Sequence, residues 1–305
     1  MPATRPLRVH LALAFVQLLF AGFAVVGKVV LASMSPLALA GLRVLGATPL
    51  LLLLAARRGR PLPAVRDVPR LLLLGLLGVT ANQLLFVFGL QRTTATNASI
   101  LVLAIPVFAV AVGALLGVEK PSPRQLAGVA LAVAGALALL HPGRMVLEPA
   151  TSIGNALILT NCLAYAFFLV LQRPLLDRLP WETVIAWAFL LGGLMTLPLA
   201  WHDLVALPAR PPGTSAWIGV AYIVLLATFV GYALNTWAVQ RSSPSLVAAY
   251  TTLQPFFAAG LAVAFLGERL GWAELIGFAM IAGGLGLVTA RRVADEPEQA
   301  PALLE

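Results

Sequence analysis

Polar and aromatic residues recur at helical spacing within otherwise apolar sequence. Asn161, Tyr165, Phe168 and Gln172 fall at i, i+4, i+7 and i+11; Thr228, Tyr232 and Asn235, and likewise Tyr250, Gln254 and Phe257, repeat the first three of those positions. Gln17, Ala21, Ala24 and Lys28 form a further stripe, with small residues between two polar ones. Residues three and four apart share a helix face, so each group reads as one strip on one helix. Amides, phenols and rings without a nucleophile and base among them bind rather than react. They suit a small amphipathic solute held by hydrogen bonds and aromatic walls. The competing reading of each strip is hydrogen bonding between helices by Asn, Gln and Tyr.

Two cations stand apart from the other basic residues. Lys28 lies near the end of its apolar run, and Arg43 lies about seven residues, or ~10 Å, into the next. At one level in antiparallel neighbours they would suit a carboxylate or phosphate. Lys28 could equally reach the interface along its stem, and Arg43 could brace the bundle by bonding helix carbonyls. Glu119, Glu182, Glu268 and Glu274 all fall at or near the ends of apolar runs, and Glu119 and Glu268 each precede a cation, Lys120 and Arg269, in matched turns. Helix-end or ion-pair structure is their expected role. No carboxylate falls mid-run, where a proton-carrying group within an apolar segment would be expected.

Other signals carry no chemistry. Gly22 to Lys28 imitates a phosphate-binding loop, but Val29 stands where Ser or Thr is needed and no strand precedes it. Asn97-Ala-Ser99 has the form of a glycosylation site at the start of an apolar run. His10, His141 and His202 are too scattered for a metal site or relay, the single Cys162 excludes an internal disulfide framework, and no metalloprotease or nucleophile-elbow motif occurs. The expectation is no enzyme activity, no metal and no cofactor.

The elements that must position these residues follow from composition. The 305 residues are 60% hydrophobic and 10% charged, with a mean hydropathy of +0.95. A soluble domain carries about 25% charged residues, so the partner of this surface is a lipid bilayer. A span of ~20 helical residues crosses the hydrocarbon, and apolar runs fall at 9–32, 36–56, 68–90, 95–117, 123–140, 151–172, 182–200, 215–238, 244–266 and 271–290. The fold class is therefore all-α integral membrane, with ten transmembrane helices. The first run is too long for a signal peptide and is read as a retained helix. With the N-terminus cytoplasmic, 14 of the 20 basic residues face the cytoplasm and only Arg92, Arg144, Arg210 and Arg269 face outward. The net charge of +8 is thus an orientation signal, and nucleic acid is excluded as a partner. Both termini are expected in the cytoplasm, with residues 291–305 a disordered tail.

At an offset of 149 residues Gln91-Arg92 matches Gln240-Arg241, Pro106 matches Pro255, Phe108 matches Phe257, and Gly128 and Gly135 match Gly277 and Gly284. One constant offset over this stretch marks a duplication. Five helices per unit is odd, so the second unit, 151–290, would be inverted relative to the first, 9–140: two five-helix inverted-topology repeats around a mid-membrane interface, the geometry of alternating access. Pro106 and Pro255 each remove a helix hydrogen bond and are candidate hinges or static kinks. The same offset sets Gln83 and Phe86 opposite Tyr232 and Asn235, favouring Gln83 over Asn82 as the amide facing the interface.

Phe20 to Lys28, Gly41-Leu-Arg43, Gly89 to Ser99, Pro106-Val-Phe and Glu119-Lys, followed by Gln240 to Pro244, Tyr250, Pro255 and Gly267-Glu-Arg269, resemble the EamA repeat of the drug/metabolite transporter superfamily. The resemblance covers about residues 10 to 290. Phe20 departs from it, because the family often has Trp there. It implies a ten-helix carrier whose spans 1, 3, 4, 6, 8 and 9 line a central cavity, with spans 5 and 10 peripheral. Its cargo ranges from amino acids to other metabolites. The expectation is a monomeric or homodimeric exporter of small amphipathic metabolites across a bacterial-type inner membrane, with a non-transporting scaffold or membrane-embedded enzyme as the alternative.

Overall fold

A computed structural model describes residues 5–57, 59, 62–140, 148–209, 211–257 and 272–289. Every regular element among them is helical, as hydrocarbon requires, because an unpaired backbone group costs several kcal/mol there. The helices are α1 (Arg5–Leu31), α2 (Pro36–Arg57), α3 (Val68–Gly75, continuing through Leu76–Ala81 into Asn82–Arg92) and α4 (Ala95–Leu101, then Ala104–Leu115). Then come α5 (Pro123–Leu140), α6 (Pro149–Leu171), α7 (Trp181–Ala206) and α8 (Thr214–Ala221, Tyr222–Val230 and Gly231–Arg241). Pro244–Ala249, Tyr250–Thr252 and residues 253–257 make up the described part of α9, and α10 is Trp272–Thr289. Seven stretches, those of α1 to α4 and α6 to α8, are long and apolar enough to span a membrane; α5 and α10 contain shorter apolar helices. Glu268, Arg269 and the proposed tail lie outside the described residues.

Several irregularities recur at the 149-residue offset. Leu76–Ala81 and Tyr222–Val230 are π-helical, turns wide enough to take in an extra residue. Pro49 and Pro198 each stand inside a long helix. The Thr94 hydroxyl caps α4 by accepting from Asn97 N at 2.9 Å, and the Ser243 hydroxyl caps α9 by accepting from Leu246 N at 3.2 Å. Regular α geometry then lapses at residues 102–103 in α4 and at Tyr250–Thr252 in α9, just before Pro106 and Pro255, whose rings leave the carbonyls of Val102 and Thr251 without their usual donors.

The α5 and α10 helices pack antiparallel with their backbones in near contact. A Cβ on Gly128 would lie 2.7 Å from the Gly284 oxygen, and one on Gly135 would lie 2.7 Å from the Gly277 oxygen. The contact is reciprocal: each member of one matched glycine pair meets a member of the other. Gly135→Leu is expected to cost folded yield and thermal stability in detergent, whereas Gly286→Leu, whose Cβ would meet nothing within 4 Å, is expected to cost little. Equal stability of the two variants would show that close approach at this crossing is dispensable.

The α4 helix ends at Gly117, whose φ of +66° suits a residue without Cβ. There the Val118 and Glu119 amides both donate to Gly113 O, at 3.0 and 3.1 Å. This turn aims Glu119 at the start of α9, where its carboxylate accepts from Ser245 N at 3.2 Å and from the Ser245 hydroxyl. A carboxylate at a helix N-terminus is favoured by the exposed N–H groups. Glu119 thus has a helix-end role, on a helix far from its own in sequence.

Candidate functional site

Between the two halves lies an internal cavity of about 70 Å³. Phe20 and Phe23 reach it from α1, Asn82 and Phe86 from α3, Val102 and Ile105 from α4, Asn161 and Tyr165 from α6, Tyr232 from α8, and Thr251 and Gln254 from α9. These are the six helices that the resemblance implied. A seventh, α2, which is not among the lining helices that the resemblance implied, adds Arg43, one of the expected site residues. Val102 and Thr251 are an offset pair, as are Ile105 and Gln254, so the irregular turns before Pro106 and Pro255 bring matched positions of both halves to one space.

Tyr232 is the centre of the aromatic wall. Its ring meets those of Phe189 at 5.1 Å and Phe168 at 6.0 Å, and those of Phe20 and Tyr165 at 6.4 Å. Its hydroxyl donates to Asn82 Oδ1 at 2.6 Å, and the Asn82 carbonyl accepts from Asn161 Nδ2 at 2.7 Å. Asn235 Nδ2 donates to the Tyr165 hydroxyl at 2.5 Å. Gln254 Nε2 donates to Gln17 Oε1 at 2.9 Å. These bonds hold polar side chains in fixed orientations within an apolar surround, where an unmade bond is costly.

Arg43 is 2% exposed. Its Nε donates to Thr228 Oγ1 at 3.0 Å, its Cζ lies 4.6 Å from the Phe23 ring centre, and its Nη1 is buried with no hydrogen-bond partner among the described residues. Lys28 is half-buried in the last turn of α1 and does not line the cavity. The expected pair of cations at one level is therefore a single cation.

The other expected residues divide by position. Gln17, Phe168 and Asn235 back the lining through the contacts above. Tyr250 lies near the start of α1, bonded to His10 Nδ1 at 2.5 Å, and is not in the lining. Gln83 is corrected to Asn82: Gln83 is fully buried, its amide lacks a partner among the described residues, and it does not reach the cavity. The matched helix α8 has a wide turn ending at the corresponding residue, Val230, so this turn does not set the halves out of phase; it is the neighbouring amide, Asn82, that meets the Tyr232 hydroxyl. Phe23 and Thr251 also line the cavity, though neither belongs to one of the polar strips.

A second, open depression of about 430 Å³ lies at Leu176–Glu182 and Trp237–Arg241, where the α6–α7 turn meets the end of α8. Gln240 Nε2 ties its floor to the carbonyls of Leu176 and Leu179, at 2.8 and 3.1 Å. It lies at the helix ends, outside the space between the halves.

An all-helical, multi-pass membrane chain with a polar and aromatic space enclosed by helices of both halves defines a membrane transporter. The chain belongs to the EamA-like transporter family, whose model matches residues 7–140 and 152–290. It is 32% identical to an uncharacterized transporter of Archaeoglobus fulgidus over 93% of this chain and 98% of that one. It is 28% identical to the inner membrane transporter YedA of Escherichia coli K12, over 84% of this chain and 82% of that one. A probable terminal-alkyne amino-acid exporter of Streptantibioticus cattleyicolor is also 28% identical, over 77% of this chain and 78% of that one. A crystal structure with 19% sequence identity superposes with a TM-score of 0.71, covering 92% of this chain and 97% of the other; the likeness is one of fold.

Proposed function

We propose that this transporter is a secondary carrier that exports small amphipathic metabolites, amino acids or related compounds, by alternating access. The observation that carries the reading is the cavity itself, built from matched positions of both halves and walled by rings and oriented amides. Its 70 Å³ is well below the roughly 300–1,000 Å³ of sites that hold small molecules, so cargo enters only when the helices part. The irregular turns before Pro106 and Pro255 are the proposed hinges. The reading places ten spans in the membrane as two inverted five-helix repeats with both termini cytoplasmic. It draws support from the recurring irregularities, from the reciprocal antiparallel contact of α5 with α10, and from the skew of basic residues. The name of the Streptantibioticus relative favours amino-acid-like cargo, and that of YedA favours the inner membrane.

Purified protein in sealed vesicles is expected to give saturable flux and counterflow with members of a metabolite panel. No flux with any member would remove the carrier reading in favour of a scaffold. Among the described residues no acidic side chain lines the cavity, so an imposed pH gradient is expected to leave the flux unchanged. Strong acceleration by the gradient would replace facilitated or exchange transport with proton coupling.

A further inference from the structure

We propose that the preferred cargo is a carboxylate anion with an apolar body and no ammonium group, and that Arg43 holds its carboxylate. The proposal narrows the cargo class of the carrier reading above and rests on it.

Arg43 is a buried cation whose hydrogen-bonding capacity is incompletely used. The guanidinium serves the Thr228 hydroxyl through Nε and also bonds the Tyr232 hydroxyl, while Nη1 has no acceptor among the described residues. Nor does any carboxylate balance its charge: no ion pair of Arg43 occurs among the described residues, and none of the cavity-lining residues is Asp or Glu. A desolvated charge without a counter-ion is costly in hydrocarbon. A carboxylate entering the cavity supplies both missing elements, opposite charge and acceptor oxygens, and the planar guanidinium can meet it with two parallel bonds.

The fold does not need this cation. At the 149-residue offset Arg43 corresponds to Gly192 and Thr228 to Val79. Those two residues also meet: a Cβ on Gly192 would lie 2.6 Å from the Val79 Cβ. One half closes this helix crossing by apolar packing, whereas the other places a guanidinium and a hydroxyl there and turns the guanidinium toward the cavity. The charge is thus an addition to the crossing, located where cargo would bind.

The same geometry sets the rest of the ligand. Phe20, Phe86 and Tyr232 offer ring surface to an apolar body. An α-ammonium beside the bound carboxylate would be held within a few ångströms of the guanidinium, a like charge, with no acidic side chain in the lining to offset it. Deaminated or N-acylated acids therefore suit the site better than free α-amino acids.

Four solutes sharing one phenyl-alkyl body isolate charge: 3-phenylpropionate, phenylalanine, 3-phenylpropanamide and 3-phenylpropylamine. Binding to the full-length protein in lipid nanodiscs is measured by ligand-induced thermal shift, and exchange in vesicles by counterflow. In the wild type, 3-phenylpropionate is expected to bind at least about tenfold more tightly than the other three. Arg43→Gln is expected to abolish that preference, bringing the acid down to an affinity no greater than that of the amide. Arg43→Lys, which keeps the charge but loses the planar fork, is expected to keep the preference for the acid at reduced affinity. Equal binding of all four solutes by the wild type would overturn the proposal without any variant; so would an acid preference that survives in folded Arg43→Gln, or one that is lost in folded Arg43→Lys. Arg43-dependent binding of the acid without counterflow would remove the carrier reading and leave the anion site standing. Counterflow favouring the amine or the amide would do the reverse.

Discussion

Gly78→Ala is expected to destabilise the protein by about 1–3 kcal/mol or more, the cost of forcing extra atoms into a packed interior. The position lies in the π turn of α3, and a Cβ there would stand 2.1 Å from Cδ2 and 2.5 Å from Cγ of Phe168. That ring cannot swing away freely: it is fully buried, and it packs against Tyr165 and Tyr232 with centroids 6.0 Å apart in both cases. The added methyl therefore pushes on the aromatic wall of the cavity as well as on the α3–α6 contact, so thermal stability and flux should fall together. Phe168→Leu on the Gly78→Ala background removes the colliding ring edge and is expected to recover part of both losses, a coupling that independent sites would not show. Wild-type stability and flux in Gly78→Ala would mean that α3 and α6 are free to separate here, and the argument from close packing would fail.

The same stretch explains what the sequence made legible and what it hid. Apolar runs locate the helices because hydrocarbon demands both length and apolarity. Those at 68–90 and 215–238 correspond to described helical stretches of 65–92 and 214–241, and those at 9–32 and 36–56 agree within a few residues. The wide turns inside two of these helices leave no such mark, since a π turn changes hydrogen-bond partners and not composition. The 149-residue offset pointed to Gln83, whereas Asn82 is the amide in the lining. Asn161 and Tyr165 were legible because they lie in one unbroken α-helix, and Tyr232 and Gln254, just beyond the irregular turns at Tyr222–Val230 and Tyr250–Thr252, because they are polar residues in apolar runs. Arg43 was legible as an oddity, a charge deep in an apolar run, but its contact with Thr228, 185 residues away, depends on which helices become neighbours. Lys28 looked equivalent by depth alone, and the rotation of α1 leaves it outside the lining. Glu119 was expected at a helix end; that the helix it caps is α9 follows only from the packing of the halves.

Tyr232→Ala is expected to reduce transport by more than tenfold and to cost about 3–5 kcal/mol, as the loss of a large buried ring does. The ring joins Phe20, Tyr165, Phe168 and Phe189, so its removal opens the wall from which the cavity takes its shape. A stability loss alone would not identify a cargo site, and Tyr232→Phe separates the two effects. That variant keeps the ring contacts and deletes only the hydroxyl, which donates to Asn82 Oδ1 at 2.6 Å and also bonds Arg43; it should cost about 1–3 kcal/mol for the groups left unpaired. If Asn82 must be oriented to meet cargo, Tyr232→Phe raises the concentration needed for half-maximal flux while the folded yield stays near that of wild type. Asn235→Ala and Tyr165→Ala test the neighbouring bond at 2.5 Å. Because the two groups are partners, the double variant should lose less than the sum of the singles. Unchanged transport in Tyr232→Ala, Asn235→Ala and Tyr165→Ala alike would move the cargo site out of this cavity, whatever the stability measurements show.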